Sequence, residues 1–157
     1  MDTVRLIMKK EDVLNSIKSA FTGVLLGDGI GLWEAQAIDD YESEEIQSKN
    51  RQKDEKVDWS LIKNDELQRC HSSLSFFDSN GMRFHLPSFI IASLEDLVDD
   101  PIFHLTQLDD YAKSKLTTLN NSQKQAIISY LNWCLIQEEY NFEHPSIKRA
   151  LIEYWNR

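Results

Sequence analysis

Cys70-His71-Ser72-Ser73-Leu74-Ser75-Phe76-Phe77-Asp78-Ser79-Asn80-Gly81-Met82-Arg83-Phe84-His85-Leu86-Pro87 is the stretch whose reading decides the fold. Two short runs rich in aromatic and aliphatic residues flank Asp78-Ser79-Asn80-Gly81, a combination that predicts an antiparallel β-hairpin at about 72–86. A three-residue loop, Ser79 to Gly81, puts Leu74, Phe76, Phe84 and Leu86 on one face and Ser75, Phe77, Arg83 and His85 on the other. A two-residue Asn80-Gly81 turn mixes the two classes, so the sorted register is preferred. Pro87 then suits the first position of a helix through Leu97, where its missing N–H costs nothing.

Outward from this stretch the pattern is helical. Val13, Leu14, Ile17, Ala20, Phe21 and Val24 recur at the spacing of one helical face, predicting a helix over about 10–22. After Gly27-Asp28-Gly29-Ile30-Gly31, a second helix carries Trp33, Ala37, Ile38 and Tyr41. Residues 43–57 are charged and weakly periodic, read either as a solvated helix or as a mobile acidic segment. Ser122 with Gln125 three residues on predicts a capped helix to about Glu139, with Cys134 near the middle of its apolar face. Pro145 opens a last helix bearing Ile147, Ala150, Leu151, Tyr154 and Trp155. No repeat or linker marks a second unit, so the expectation is a single α+β domain over 1–157, mainly helical with one hairpin.

Composition narrows the function classes. The chain has 157 residues, 41% of them hydrophobic and 10% aromatic, enough for a real core. A formal net charge of -9 disfavours nucleic acid and anionic membrane as partners and favours a basic protein. Between Glu34 and Glu66 stand eleven acidic residues against five basic ones, so most of the charge lies there. Two cysteines are too few for a disulfide framework, and the N-terminal apolar run Val4 to Met8 is short and contains Arg5. A cytoplasmic setting is the expectation.

Each polar candidate has a structural and a chemical reading. Gly27, Gly29 and Gly31 lack the spacing of a dinucleotide fingerprint; they form a tight turn or, less favoured, lead into a helix whose free N–H groups hold an anion. Glu34 projects into the apolar face of its helix. It is read as a cap bonded back to Gly31, the third helical residue reaching the first free N–H, in preference to a desolvated acid or base. Asp39 projects to solvent and Asp40 flanks the apolar face. Cys70 and His71 are adjacent and diverge, which argues against a catalytic dyad. The hairpin makes Ser75 and His85 cross-strand neighbours beside Arg83, read as an exposed polar face before serine catalysis. No His or Cys spacing matches a metal site, and no cofactor motif is present.

The words Gly27-Asp-Gly-Ile-Gly-Leu-Trp-Glu-Ala-Gln-Ala-Ile-Asp-Asp-Tyr41, Asp58-Trp59, Cys70 to Asp78, Gly81 to Pro87 and Leu119 to Ala126 resemble a family of small bacterial proteins of unknown function. Asn120-Asn121-Ser122 departs from the Leu-Ser-Pro opening that the resemblance implies there. It implies a bacterial origin and supplies no catalytic residue. Two functions are carried forward: a non-enzymatic interaction protein, an immunity or regulatory partner whose acidic surface meets a basic one, and a small enzyme or ligand-binding protein with its site around Glu34, Asp40, Arg83 and His85. The shared words also bring in Asp39 and His71 as candidates.

Overall fold

A computed structural model describes residues 9–157; the Val4 to Met8 run lies outside them. Among the described residues there are helices and no strand, which overturns the expected α+β class and its hairpin. The helices are α1 (Lys10–Ala20), α2 (Leu32–Asp39), α3 (Glu44–Lys53), α4 (Asn64–Arg69), α5 (Ser79–Leu94), α6 (Ile102–Thr106), α7 (Asp110–Ser114), α8 (Asn121–Leu135) and α9 (His144–Ala150). Short 3₁₀ turns at Trp59–Leu61, Ser73–Ser75 and Glu138–Glu143 join them, and α9 widens into a π turn, Leu151–Trp155.

The predicted hairpin is the end of one helical turn and the start of the central helix. Asp78 is the reason: its Oδ1 accepts from Gly81 N at 2.9 Å, so Asp78-Ser79-Asn80-Gly81 is a helix N-terminus rather than a β-turn. The same oxygen accepts from Ile30 N at 2.9 Å, pinning the glycine turn to the head of α5. Twelve of the sixteen residues of α5 are buried, on every side, so the helix lacks the one-faced periodicity that would identify it. Pro87 lies inside α5 instead of opening it, and the helix stops at Leu94, short of Leu97. Phe84 and Leu86 are in the core as expected, but Phe77 is buried and Phe76 only partly so. Ser75 and His85 are no cross-strand pair. Ser75 is exposed in the 3₁₀ turn, where its carbonyl accepts from Lys115 Nζ and Tyr111 Oη.

Around α5 the other helices supply the remaining apolar faces. Helix α1 packs on α5 and α8, burying Val13 and Ile17, and α8 presents Ala126, Ile127, Tyr130, Leu131 and Cys134 to the same core. The cap of α8 sits two residues before the predicted one: Asn120 Oδ1 accepts from Gln123 N, and Gln123 Oε1 from Asn120 N. The helix also ends at Leu135, before Glu139. Helix α9 packs on α6 and α8. Indole donors tie loops to this core, Trp59 Nε1 to Phe21 O at 2.8 Å and Trp155 Nε1 to Leu105 O at 2.9 Å.

Of the two forms left open for 43–57, residues 44–53 take the helical one. Ser43 caps α3 through its hydroxyl, which accepts from Ile46 N, and none of the helix is fully buried. Helix α3 lies along α2.

Where the glycine turn meets the head of α5, space is the constraint. A Cβ on Gly81 would stand 2.6 Å from Ile30 O, a backbone atom that has nowhere to move. Gly81→Ala should therefore destabilise the protein by about 1–3 kcal/mol, against the ~1 kcal/mol that alanine gains in helix propensity. Urea unfolding measures it; a variant as stable as the parent would mean that the turn does not lie on this helix end.

Candidate functional site

Helix α2 shows why Gly31 and Glu34 are spaced as they are. Gly31 is its N-cap, and Gly31 N donates to Glu34 Oε1 at 2.9 Å. The next free donors are taken by Asp54, a residue the sequence reading passed over. Trp33 N donates to its Oδ1 at 2.8 Å and Glu34 N to its Oδ2 at 3.1 Å. The anion at this N-terminus is the protein's own carboxylate, which takes the donors of Trp33 and Glu34. A Cβ on Gly31 would stand 2.1 Å from Asp54 Oδ2, hence the glycine. Arg51 completes the knot, with Nε 3.6 Å from Glu34 Oε1 and a terminal nitrogen donating to Gly27 O at 2.8 Å.

Burial pushes the Asp54 carboxyl up to about 6, against the two backbone donors that favour its charge. Glu34 raises it further and Lys56 lowers it. Asp54 is a strained cap, held in place by its donors at the expense of its hydration.

The remaining candidates scatter. Asp39 and Asp40 sit at the C-terminal end of α2, where Gln36 Nε2 reaches both carboxylates at 3.4 and 3.3 Å. His85 is wholly buried inside α5, its ring stacked on Phe77 with centroids 4.3 Å apart. Gly81 O accepts from His85 Nδ1 at 2.7 Å, so Nδ1 carries the hydrogen and Nε2 is an acceptor without a partner. Burial lowers this imidazole to about 4, despite the Gly81 bond and the nearby Asp78. It is neutral at physiological pH and shut away from solvent. Arg83 donates to Thr118 O and to Asn80 Oδ1, both at 3.4 Å. No hydrogen bond joins Glu34 to Arg83 or His85 among the described residues.

Buried thiols are pushed up to about 12, Cys70 by burial and neighbouring acids, and Cys134 by burial against a bond to Tyr130. Both are free, and neither is a nucleophile at neutral pH.

His71 opens onto a cleft. It has a volume of about 720 Å³ and lies between α4, the C-terminal end of α5, the 95–104 segment and the Glu138–Glu143 turn. Four acidic residues line it, Asp96, Asp99, Asp100 and Glu139, together with apolar residues that include Leu67, Phe89 and Val98. Burial raises the Asp100 carboxyl, with Glu143 and Asp99 adding to it, while Ile102 N donates to Asp100 and opposes the rise. His104, also on the wall, is lowered to about 4 by burial and by Lys115. No three His, Cys, Asp or Glu side chains converge as metal ligands among the described residues. No local motif announces the cleft, because its walls come from four separate segments.

An all-helical domain with a self-capped glycine turn, an acidic edge and an acidic cleft is the class that these observations define. The chain belongs to a family of unknown function, DUF6714, whose model matches residues 9–157. No curated protein and no solved structure matches it. Among the described residues, no helix is long and apolar enough to cross a membrane.

Asp54 supplies the test of the knot. Its folded value, about 6, lies above the ordinary 3.8, so the folded state takes up a proton between those limits. Its share of stability therefore grows as pH falls from 7 to 4 and is lost as pH rises through 6. The stability difference between the parent and Asp54→Asn, whose other groups titrate alike, should shift toward the parent by about 1–3 kcal/mol over that range. Urea unfolding at the two pH values reads it, and a flat or opposite trend would show that Asp54 is not desolvated.

Proposed function

We propose that this is a non-enzymatic interaction protein of the bacterial cytoplasm, an immunity or regulatory partner that presents the bend between α2 and α3 to a basic protein surface. Tyr41 is the observation that carries the reading. Its side chain is 96% exposed, and its backbone is held at φ 58°, a region that disfavours every residue with a Cβ. The α2 terminus explains the angle: Glu42 N donates to Ala37 O and Tyr41 N to Ile38 O, the bonding of a helix end that ordinarily ends in glycine.

Three local choices here work against stability. A tyrosine stands where glycine is better, its ring buries nothing, and Asp39 and Asp40 crowd a helix C-terminus that has no basic residue in its last turn. Asp39-Asp40-Tyr41-Glu42-Ser43-Glu44-Glu45 holds five carboxylates and no cation of its own. Only Glu44 and Glu45, in the first turn of α3, also favour their helix. Inside the molecule the carboxylates gain only the long bonds from Gln36 Nε2 to Asp39 and Asp40 and an exposed Lys49–Glu45 pair at 3.5 Å, and Tyr41 gains nothing; local rules broken together for so little support a surface kept for a partner. An aromatic anchor ringed by carboxylates suits arginine or lysine, which would stack on the ring and pair with its neighbours. The cytoplasmic setting is supported by two free, buried cysteines, and the bacterial origin by the resemblance of the sequence words.

Tyr41→Gly should leave the fold no less stable, with a gain of up to about 1 kcal/mol, while losing the partner. Affinity capture from the source cell should yield a basic protein in stoichiometric amount with the parent, released by raised salt, and absent with Tyr41→Gly or Asp40→Lys. A partner that both variants retain would sink the reading, as would a Tyr41→Gly variant less stable than its parent.

A further inference from the structure

We propose that the pocket between α6 and α7 is a binding site for a small arylcarboxylate, its ring against Phe103 and Tyr111 and its carboxylate on the Lys115 ammonium. The site is separate from the α2–α3 bend and does not depend on what that bend binds.

Lys115 carries the argument. It is only 6% exposed, yet among the described residues no carboxylate lies within ion-pair distance of its Nζ. An ammonium has three donors. Two of them go to main-chain oxygens of the Ser73–Ser75 turn, Leu74 O at 3.3 Å and Ser75 O at 2.6 Å. The third has only the Tyr111 ring, whose centroid is 4.4 Å from Nζ. Carbonyl dipoles and a ring face solvate the charge without neutralising it, and a lysine is almost never buried without a counter-ion. Lys115 lines the pocket, so an anion that entered there would supply the missing one.

Two aromatic rings are set at this pocket without being buried, Phe103 at 66% exposure and Tyr111 at 63%. Tyr111 is nonetheless held at two points, its hydroxyl donating to Ser75 O at 3.1 Å and its face lying on the ammonium. Phe103 stands edge-on to His104, with ring centroids 5.5 Å apart and planes at 86°. Met82, fully buried, lines the same space. The volume of about 140 Å³ is that of a single aromatic ring. Rings already in place leave a ligand little ordering to impose when it binds.

The charges at the pocket favour an anion. His104, on the same wall, is lowered to about 4 by burial and by Lys115, so at physiological pH it is a neutral imidazole with one N–H to donate. Asp109 opposes an anion, but it is exposed, and its Oδ1 accepts from Ala112 N at 2.8 Å as the cap of α7. Its field is therefore screened by solvent, while that of the buried ammonium is not.

The test uses the whole chain with phenylacetate, 2-phenylethanol, acetate and 2-phenylethylamine as probes, read by backbone-amide NMR and titration calorimetry. Phenylacetate should shift the amides of 103–115 and of Ser75 saturably. Loss of the charge in 2-phenylethanol, or of the ring in acetate, should weaken binding about tenfold or more. The amine, repelled by Lys115, should leave those amides in place. Lys115→Met keeps the stem and removes the charge, so it should bring phenylacetate down to the affinity of 2-phenylethanol and leave 2-phenylethanol unchanged. Phe103→Ala, at an exposed position, should weaken both, and melting curves check that each variant is folded. Four outcomes would overturn the proposal: 2-phenylethanol or acetate binding as well as phenylacetate, a preference for the amine, no saturable shift of these amides, and phenylacetate binding unchanged in folded Lys115→Met.

Discussion

One carboxylate fixes the part of this molecule that its sequence makes most distinctive. Asp54 accepts from Trp33 N and Glu34 N across a separation of 20 or more residues, so α3 must fold back until its C-terminal end meets the start of α2. Helix N-termini attract anions in general; here the anion is part of the chain, and its delivery sets the path of everything from Gly31 to Asp54. Gly31 has to be glycine because the carboxylate occupies the place of a side chain. Arg51, one turn before Asp54, is thereby brought to both Glu34 and Gly27. Asp78 repeats the device on the other side of the turn, one oxygen serving Ile30 and Gly81 together.

What was legible in the sequence is what local chemistry determines. The Gly31–Glu34 spacing is a capping spacing and forms one, and the periodic faces of 10–20 and 144–155 are helical. The hairpin failed for an equally local reason. Asp-x-x-Gly satisfies backbone donors both in a turn and at a helix start, and only the following residues discriminate. After Gly81 the apolar residues fall on every side of the helix because α5 is buried all round, so the helical period is invisible, and Pro87 inside the helix removes the last clue. Aromatic runs then read as strands. Asp54 was missed because nothing in Lys53-Asp54-Glu55 distinguishes a buried carboxylate from its exposed neighbours. The cleft was missed because His71, Asp96, His104 and Glu139 meet only in three dimensions.

The same backbone device recurs at the two surfaces left without an internal role. Helix α5 ends as α2 does: Leu97 N donates to Ala92 O and Asp96 N to Ser93 O, with Asp96 in the left-handed region where Tyr41 also lies. These two are the non-glycine residues at positive φ among the described residues. Each puts an ionic or aromatic side chain where glycine would fold more easily, at a cost on the order of 1–2 kcal/mol. That neither is offset by packing is clearest for Tyr41, whose ring touches solvent almost everywhere.

Shape separates what the two acidic regions can hold. At the α2–α3 bend the carboxylates of Asp40, Glu42, Glu44 and Glu45 are exposed, in high dielectric, where each is worth little alone and salt screens it within about 8 Å. On the function proposed above, such a surface suits a large partner that engages several charges at once and covers the tyrosine. In the cleft, low-dielectric walls of Leu67, Phe89 and Val98 focus the field of Asp99 and Asp100 into a confined space. Net charge alone does not tell the two regions apart; exposure at the bend and the apolar lining of the cleft do.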